Sequence, residues 1–251
     1  MRPIQDIILH GSIGAAFVPP AASQLSIHQY ISGNSGPLYL GNPNLDPETS
    51  QTTDFGLSLD HAAWGFSSDA TAFLTDIQGD IVTTTDGAGN YTYANLAGTS
   101  QIQGLELEWS EDLGKLAGSK ASLAFHGNIT HIWRAYGADS PAGSPQIDML
   151  NIDAHKVLLG LDYDDHHRFS FGVSGRFRGQ VLDYDYDSSS YPYPQMSYPS
   201  VWVYGLSGAL KLGQGQKLRL YVDNLGDTYY YEKAGYPEPG RTYKAEFSQE
   251  F

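Results

Sequence analysis

Apolar and polar residues alternate with a period of two along nearly the whole chain, as expected of strands that present two unlike faces. Near the start, Ile7, Leu9, Gly11, Ile13 and Ala15 share one face, with Asp6, His10 and Ser12 on the other. In Gln51–Asp60, Thr53, Phe55, Leu57 and Leu59 alternate with Thr52, Asp54, Gly56 and Ser58. Trp64, Phe66, Ala70, Ala72 and Leu74 form the next apolar face, and Leu105, Leu107 and Trp109 alternate with Gly104, Glu106 and Glu108. The second half repeats this. Leu123, Phe125, Ile129 and Trp133 oppose Lys120, Ser122, His126, Asn128 and Thr130. Val157, Leu159, Leu161 and Tyr163 alternate with Lys156, Gly160 and Asp162. Phe169, Phe171, Val173 and Phe177 oppose Arg168, Ser170, Ser174, Arg176 and Arg178. Further strands fit Ser200–Leu212, Lys217–Asn224 and Arg241–Phe251. The pattern predicts about ten strands, each near the length that crosses a bilayer at a tilt.

The connections alternate in length. Short ones fall at His61–Ala63, Asp164–His167 and Gly213–Gly215, and a slightly longer one at Ser110–Gly118. Long ones run Val18–Ser50, Ala135–Asn151, Val181–Pro199 and Gly226–Pro239. Tight turns at one end and large loops at the other are what an outer-membrane barrel needs. A soluble sandwich keeps both sets of loops short.

Composition narrows the picture. Gly numbers 28, and aromatic residues make up 13% of the chain with 18 Tyr. This suits many strands, glycine turns and tyrosine girdles at a membrane interface. No apolar run approaches the roughly 18 residues of a membrane helix, which excludes a helical membrane protein but not a barrel. With 28 acidic and 14 basic residues, the net charge of −14 argues against nucleic acid as a partner. With no cysteine, disulfides, thiolate metal sites and cysteine nucleophiles are excluded. The N-terminal stretch through Val18 reads as a strand rather than a signal peptide, since Asp6 and His10 interrupt it.

Five short segments then carry a resemblance. Gly14 to Pro20, with Phe17 and Pro20, is similar to a "GxxFRAP" box, Val18 and Pro19 departing from the usual Arg-Ala. Gly41-Asn42-Pro43-Asn44-Leu45-Asp46-Pro47-Glu48 resembles a "GNPxLxPE" box. Asn95 with Gly104, Glu106 and Glu108 resembles "N…GxExE". Asn224-Leu225-Gly226-Asp227-Thr228-Tyr229 resembles "NLfDkxY", and Pro239-Gly240-Arg241-Thr242-Tyr243 with Phe251 resembles "PGRxY…F". Together, in this order, they resemble the C-terminal part of TonB-dependent outer-membrane receptors.

The resemblance implies an all-β, antiparallel transmembrane barrel. Residues 1–251 would supply about ten C-terminal strands of a barrel of about twenty-two. The plug and the earlier strands are absent from this sequence. It further implies outer-membrane lipid as a partner, TonB energy coupling through the missing N-terminal part, and no cofactor. Phe251 would be read by the barrel-assembly machinery. The implied function is energy-coupled uptake of a scarce bulky nutrient, an iron chelate or heme, without covalent catalysis.

Several residues invite chemistry, each with a plainer reading. His28 lies where heme receptors of this family carry a ligating histidine, and is otherwise a loop histidine. Asp183-Tyr184-Asp185-Tyr186-Asp187 offers hard oxygens for Ca²⁺ or a substrate vestibule, and otherwise a solvated external loop. Tyr191, Tyr193 and Tyr198 could stack on a sugar or an aromatic chelator, or belong to the interfacial belt. Arg168, Arg176 and Arg178 would face the lumen and pair with plug carboxylates or tune selectivity. Gly104 would let backbone or plug approach, and Glu106 and Glu108 would hydrogen-bond within the barrel. Pro43 and Pro47 stiffen a loop whose Asn42 caps a turn. Tyr243, Phe247 and Phe251 read as an aromatic rim. The alternative is a self-contained ten-strand barrel, a passive pore or a protease built on His131 with Asp139 or Asp153 with His155. A soluble β-rich binding module would need polar outward faces, which the sequence lacks.

Overall fold

The computed structural model describes residues 6–26, 30–31, 38–139, 147–185, 188–190, 193–233 and 235–250. His28, Tyr186, Tyr191 and Phe251 lie outside the described residues. Ten strands form a single antiparallel sheet in sequence order. They are β1 (Ile7–Val18), β2 (Glu48–His61), β3 (Phe66–Gln78), β4 (Thr99–Asp112), β5 (Ser122–Tyr136), β6 (His155–Asp164), β7 (Phe169–Arg178), β8 (Val201–Gly213), β9 (Gln216–Asp223) and β10 (Thr242–Gln249). Each strand pairs with the next one of the ten, so β1 and β10 are the two edges of this sheet.

The register keeps the predicted faces together across strands. Phe55 sits opposite Gly11 and Ala72, Leu57 opposite Leu9 and Ala70, and Leu107 opposite Ala70 and Ile129. Val157 joins Ile129 and Phe177, and Leu206 joins Val173 and Val222. A one-residue slip would move every one of these side chains to the other face. The apolar face is open: Ile13 is 74% and Phe55 64% exposed. The buried hydrophobic side chains among the described residues are few: Leu45, Ala135, Ala154, Val181 and Val203. Water does not tolerate an apolar face of this extent on a stable sheet, whereas lipid does. Aromatic rings mark both margins of the band. Trp109 lies 6.1 Å from Phe125 and Tyr163 6.0 Å from Phe169, both tilted, toward the short turns, while Phe177 lies 5.1 Å from Trp202 toward the long loops. Above that margin the same face turns polar, with Gln51, Asp76, Gln101 and Gln103.

The opposite face is polar and self-paired. His10 Nε2 lies 2.8 Å from Asp69, which also accepts from Ser58 and Thr71. Ser12 donates to Asp54 at 2.8 Å, and Arg219 pairs with Glu246. Glycines on this face make room for flat-lying neighbours. A Cβ on Gly56 would collide with His10, and one on Gly160 with His126. Gly104 follows the same rule and corrects one expectation: its space is filled by the Phe73 ring of the adjoining strand. Glu106 and Glu108 are exposed and make no side-chain hydrogen bond among the described residues.

The short turns are closed by local chemistry. Asp165 accepts from the backbone N–H groups of His167, Arg168 and Phe169. These bonds, that from Phe169 first, hold its carboxyl below the usual carboxylate range. Gly213, Gln214 and Gly215 all take positive φ, the mirror-image turn geometry that a two-residue hairpin favours. The long loops differ from expectation in two places. β2 begins at Glu48, so the first loop is shorter than predicted. An unanticipated hairpin, Ile81–Thr85 with Tyr91–Asn95, rises between β3 and β4. The C-terminal aromatics are not one rim either. Tyr243 lies opposite Val222 at the long-loop margin, and Phe247 opposite Leu218 toward the short turns.

Candidate functional site

At the long-loop end, the motif residues fasten loops to one another. Asn42 Nδ2 donates to the Tyr93 carbonyl at 2.9 Å, and its Oδ1 accepts from the Asn44 N–H. The Asp46 N–H donates to Asn95 Oδ1, and Asn95 Nδ2 donates to the carbonyls of Asp46 and Gly79. The Glu48 carboxylate accepts from the Ile81 N–H at 2.7 Å, and Leu45 is buried beneath. Pro43 and Pro47 flank this knot with fixed φ. The second box and Asn95 of the third are thus one tertiary unit that ties the first long loop to the hairpin.

The last two boxes form another. Asn224, at φ 51° and almost fully buried, donates Nδ2 to the carbonyls of Thr228 and Pro239 and accepts from the Thr228 N–H. Asp227 accepts from the Arg241 N–H at 2.7 Å, and Arg241 Nε donates to the Leu225 carbonyl at 2.9 Å. A Cβ on Gly240 would stand 2.7 Å from Asp227 Oδ1, so glycine is required there. Tyr229 shares a hydrogen bond with Tyr231, their hydroxyl oxygens 2.7 Å apart. Phe17 projects from the apolar face and Pro20 follows it into the first loop.

Between these knots, the polar face carries an open cavity of about 360 Å³ at the tops of β5 to β8. Lys156, Arg176 and Arg178 line it, with Asn128, Asp153, Tyr230 and Glu232. Arg178 is largely buried and committed: it pairs with Asp153 and donates to the Tyr231 carbonyl. Arg176 reaches Asp223 only at 3.4 Å and stays half-exposed, while Lys156 shares Asp153 at 3.2 Å and is more exposed still. Within this chain, Arg178 and Arg176 thus find carboxylate partners in Asp153 and Asp223. Burial raises the Tyr230 phenol, against the pull of Arg176.

Other predicted residues lie elsewhere. Tyr184 and Tyr193 belong to the segment of the neighbouring hairpin, Val181–Tyr184 with Gln195–Tyr198, and do not line the cavity. Asp183 is buried and caps the Tyr184 N–H, so it is not a solvated loop carboxylate. No group of three metal-ligating side chains occurs among the described residues. The protease pairs do not form. His131 faces His155 on the apolar side, and Asp153 is held by Arg178 and Lys156 on the polar side. Asn128 and Lys156 were legible as polar-face residues, but alternation alone carries no sign that they converge with a loop tyrosine.

A one-layer sheet with an open apolar band, aromatic margins, tight turns at one end and interlocked loops at the other defines a segment of an outer-membrane β-barrel. The family model described as TonB dependent receptor-like, beta-barrel, matches residues 2–225, and the chain belongs to that family. Its fold is shared with solved structures at low identity. A variant of the ferric enterobactin receptor PfeA from Pseudomonas aeruginosa is 20% identical, with TM-score 0.73, covering 99% of this chain and 39% of that one. The siderophore receptor PirA from Acinetobacter baumannii is 18% identical, with TM-score 0.72, covering 100% and 40%. The copper transporter OprC is 20% identical, with TM-score 0.67, covering 98% and 37%. The chain thus spans about two fifths of the length of these structures. As a member of this family it is an outer-membrane protein, its apolar face toward lipid and its polar face toward the barrel lumen. The family is one of receptors rather than enzymes, in agreement with the expectation from sequence.

Proposed function

We propose that this chain forms the C-terminal wall of an energy-coupled importer, and that the wall contributes a binding surface for an anionic metal chelate of the siderophore class. The observation that carries the reading is the basic cluster on the lumen wall. Lys156 and Arg176 stand half-exposed in a cavity of about 360 Å³, in a chain whose net charge is −14. In a chain of strongly acidic balance, a cluster of cations that keeps donor capacity beyond its carboxylate partners is a place where an anion is favoured. Arg178 serves as the brace that holds the cluster's backbone in place. The neighbouring siderophore receptors support the substrate class, and the family supports coupling to TonB through parts of the receptor outside this chain. Among the described residues β1 and β10 are the end strands of the sheet, and an end strand left bare in hydrocarbon would cost several kcal/mol per unpaired backbone group. Further strands of the same receptor would close them. A passive pore of these ten strands is disfavoured because, among the described residues, β1 and β10 are end strands and not neighbours.

The test is uptake of ferric complexes by cells carrying the receptor with Lys156→Glu and Arg176→Glu. Loss of two charge-assisted contacts should lower uptake of an anionic chelate at limiting concentration by roughly tenfold or more. Uptake of a neutral chelate should change far less. Equal uptake of every anionic chelate by the double variant and the unaltered receptor would sink the reading.

A further inference from the structure

Six of the histidines fall into two kinds by their surroundings. His10, His61, His126 and His166 each lie against a carboxylate. His131 and His155 lie against each other instead. They are directly opposed in the β5–β6 register. Their Nδ1 atoms are 2.9 Å apart, and the rings are nearly parallel with centroids 4.7 Å apart.

Their place on the wall is equally distinct. By alternation both side chains are on the lipid-facing side, one level below the polar crown formed by Gln101 and Gln103. Trp133, an interfacial aromatic whose Nε1 donates to Gln103, lies 6.1 Å from His131. His155 is exposed, and His131 is partly so. The pair therefore stands at the margin where the apolar band meets water and headgroups, outside the lumen and away from the proposed chelate surface.

Two facing neutral imidazoles are a ready ligand pair for a transition-metal ion. Metal–imidazole bonds are about 2.0–2.1 Å long. Two such ligands at a right angle on one ion stand about 2.9 Å apart, while a tetrahedral angle requires about 3.4 Å. The observed 2.9 Å between the nitrogens fits the right angle, the geometry favoured by Cu²⁺ and Ni²⁺. We propose that His131 and His155 form a two-imidazole site for a tetragonal divalent cation, Cu²⁺ or Ni²⁺, on the outer rim of the barrel. Binding needs both Nδ1 lone pairs. The ring that donates its Nδ1 proton in the free pair shifts to the Nε2–H tautomer, so two neutral imidazoles face the ion and no proton is lost. Because no carboxylate joins them among the described residues, the remaining coordination positions are filled by water.

The test uses the receptor purified from outer membranes in detergent, freed of metal and titrated with Cu²⁺ alone. Electron paramagnetic resonance should show one tetragonal Cu²⁺ with two coupled nitrogens. His131→Asn or His155→Asn should weaken binding by roughly a hundredfold, the gain a second tethered ligand brings. His166→Asn, at a short turn, should leave it unchanged. The double variant His131→Phe with His155→Phe preserves a cross-strand aromatic pair, and its heat-modifiable migration on gels reports a folded barrel; this variant should bind no Cu²⁺ at the site. Unchanged Cu²⁺ affinity in the Phe pair, or a one-nitrogen spectrum in the unaltered receptor, would overturn the proposal.

Discussion

Asn224 shows how one side chain can serve a whole loop. Its left-handed φ suits asparagine better than other non-glycine residues, and its amide satisfies three backbone groups at once. Asn224→Ala would leave those groups unpaired beneath the loop and strain the backbone. The expected cost is about 2–4 kcal/mol, the sum of a buried unsatisfied group and the conformational penalty. Urea unfolding of the barrel in detergent, read by tryptophan fluorescence, should show the free energy of unfolding fall by that amount and the midpoint fall with it. Leu225→Ala, at an exposed neighbour, should shift it little. The importance of Asn224 was visible in the sequence through its motif. Its partner Pro239 was not, because fifteen residues separate the donor from that carbonyl and only the closed loop brings them together.

At the scale of the element, alternation predicted faces well and closures poorly. β4 carries Glu106 and Glu108 on one face with Leu105, Leu107 and Trp109 on the other, as the period of two requires. Leu107→Arg would place a charge in lipid and cost about 2–4 kcal/mol near mid-bilayer. Glu106→Gln, on the lumen side and free of partners, should cost far less. Refolding yields into lipid vesicles, compared for the two variants, check the assignment; equal yields would reverse the faces. The hairpin Ile81–Thr85/Tyr91–Asn95 escaped notice because its strands are short and rich in Thr and Tyr, with no apolar face to alternate against. Gly104 looked like room for a foreign backbone, yet the register sets Phe73 beside it and the ring lies across it.

For the whole molecule, orientation follows from the loops. The long connections of receptors in this family's membrane face outward and the tight turns inward. Cysteine at Ser189, in the loop between β7 and β8, should react with an impermeant maleimide on intact cells. Cysteine at Asp164, beside the β6–β7 turn, should react only after the outer membrane is opened. The reverse pattern would invert the barrel.

The period-two pattern by itself determined the strand number, the two faces, the alternation of turns and loops, and with them a membrane barrel. These are local properties, set by side chains two residues apart, so a linear reading recovers them. The convergence of Lys156, Arg176 and Tyr230 in one cavity, the bracing of Arg178 by Asp153 and Tyr231, and the pairing of His131 with His155 were decided by tertiary structure alone. Each depends on the register between strands and on how a long loop folds back over their ends. Those are set by many weak contacts distant in sequence, which no spacing along the chain encodes.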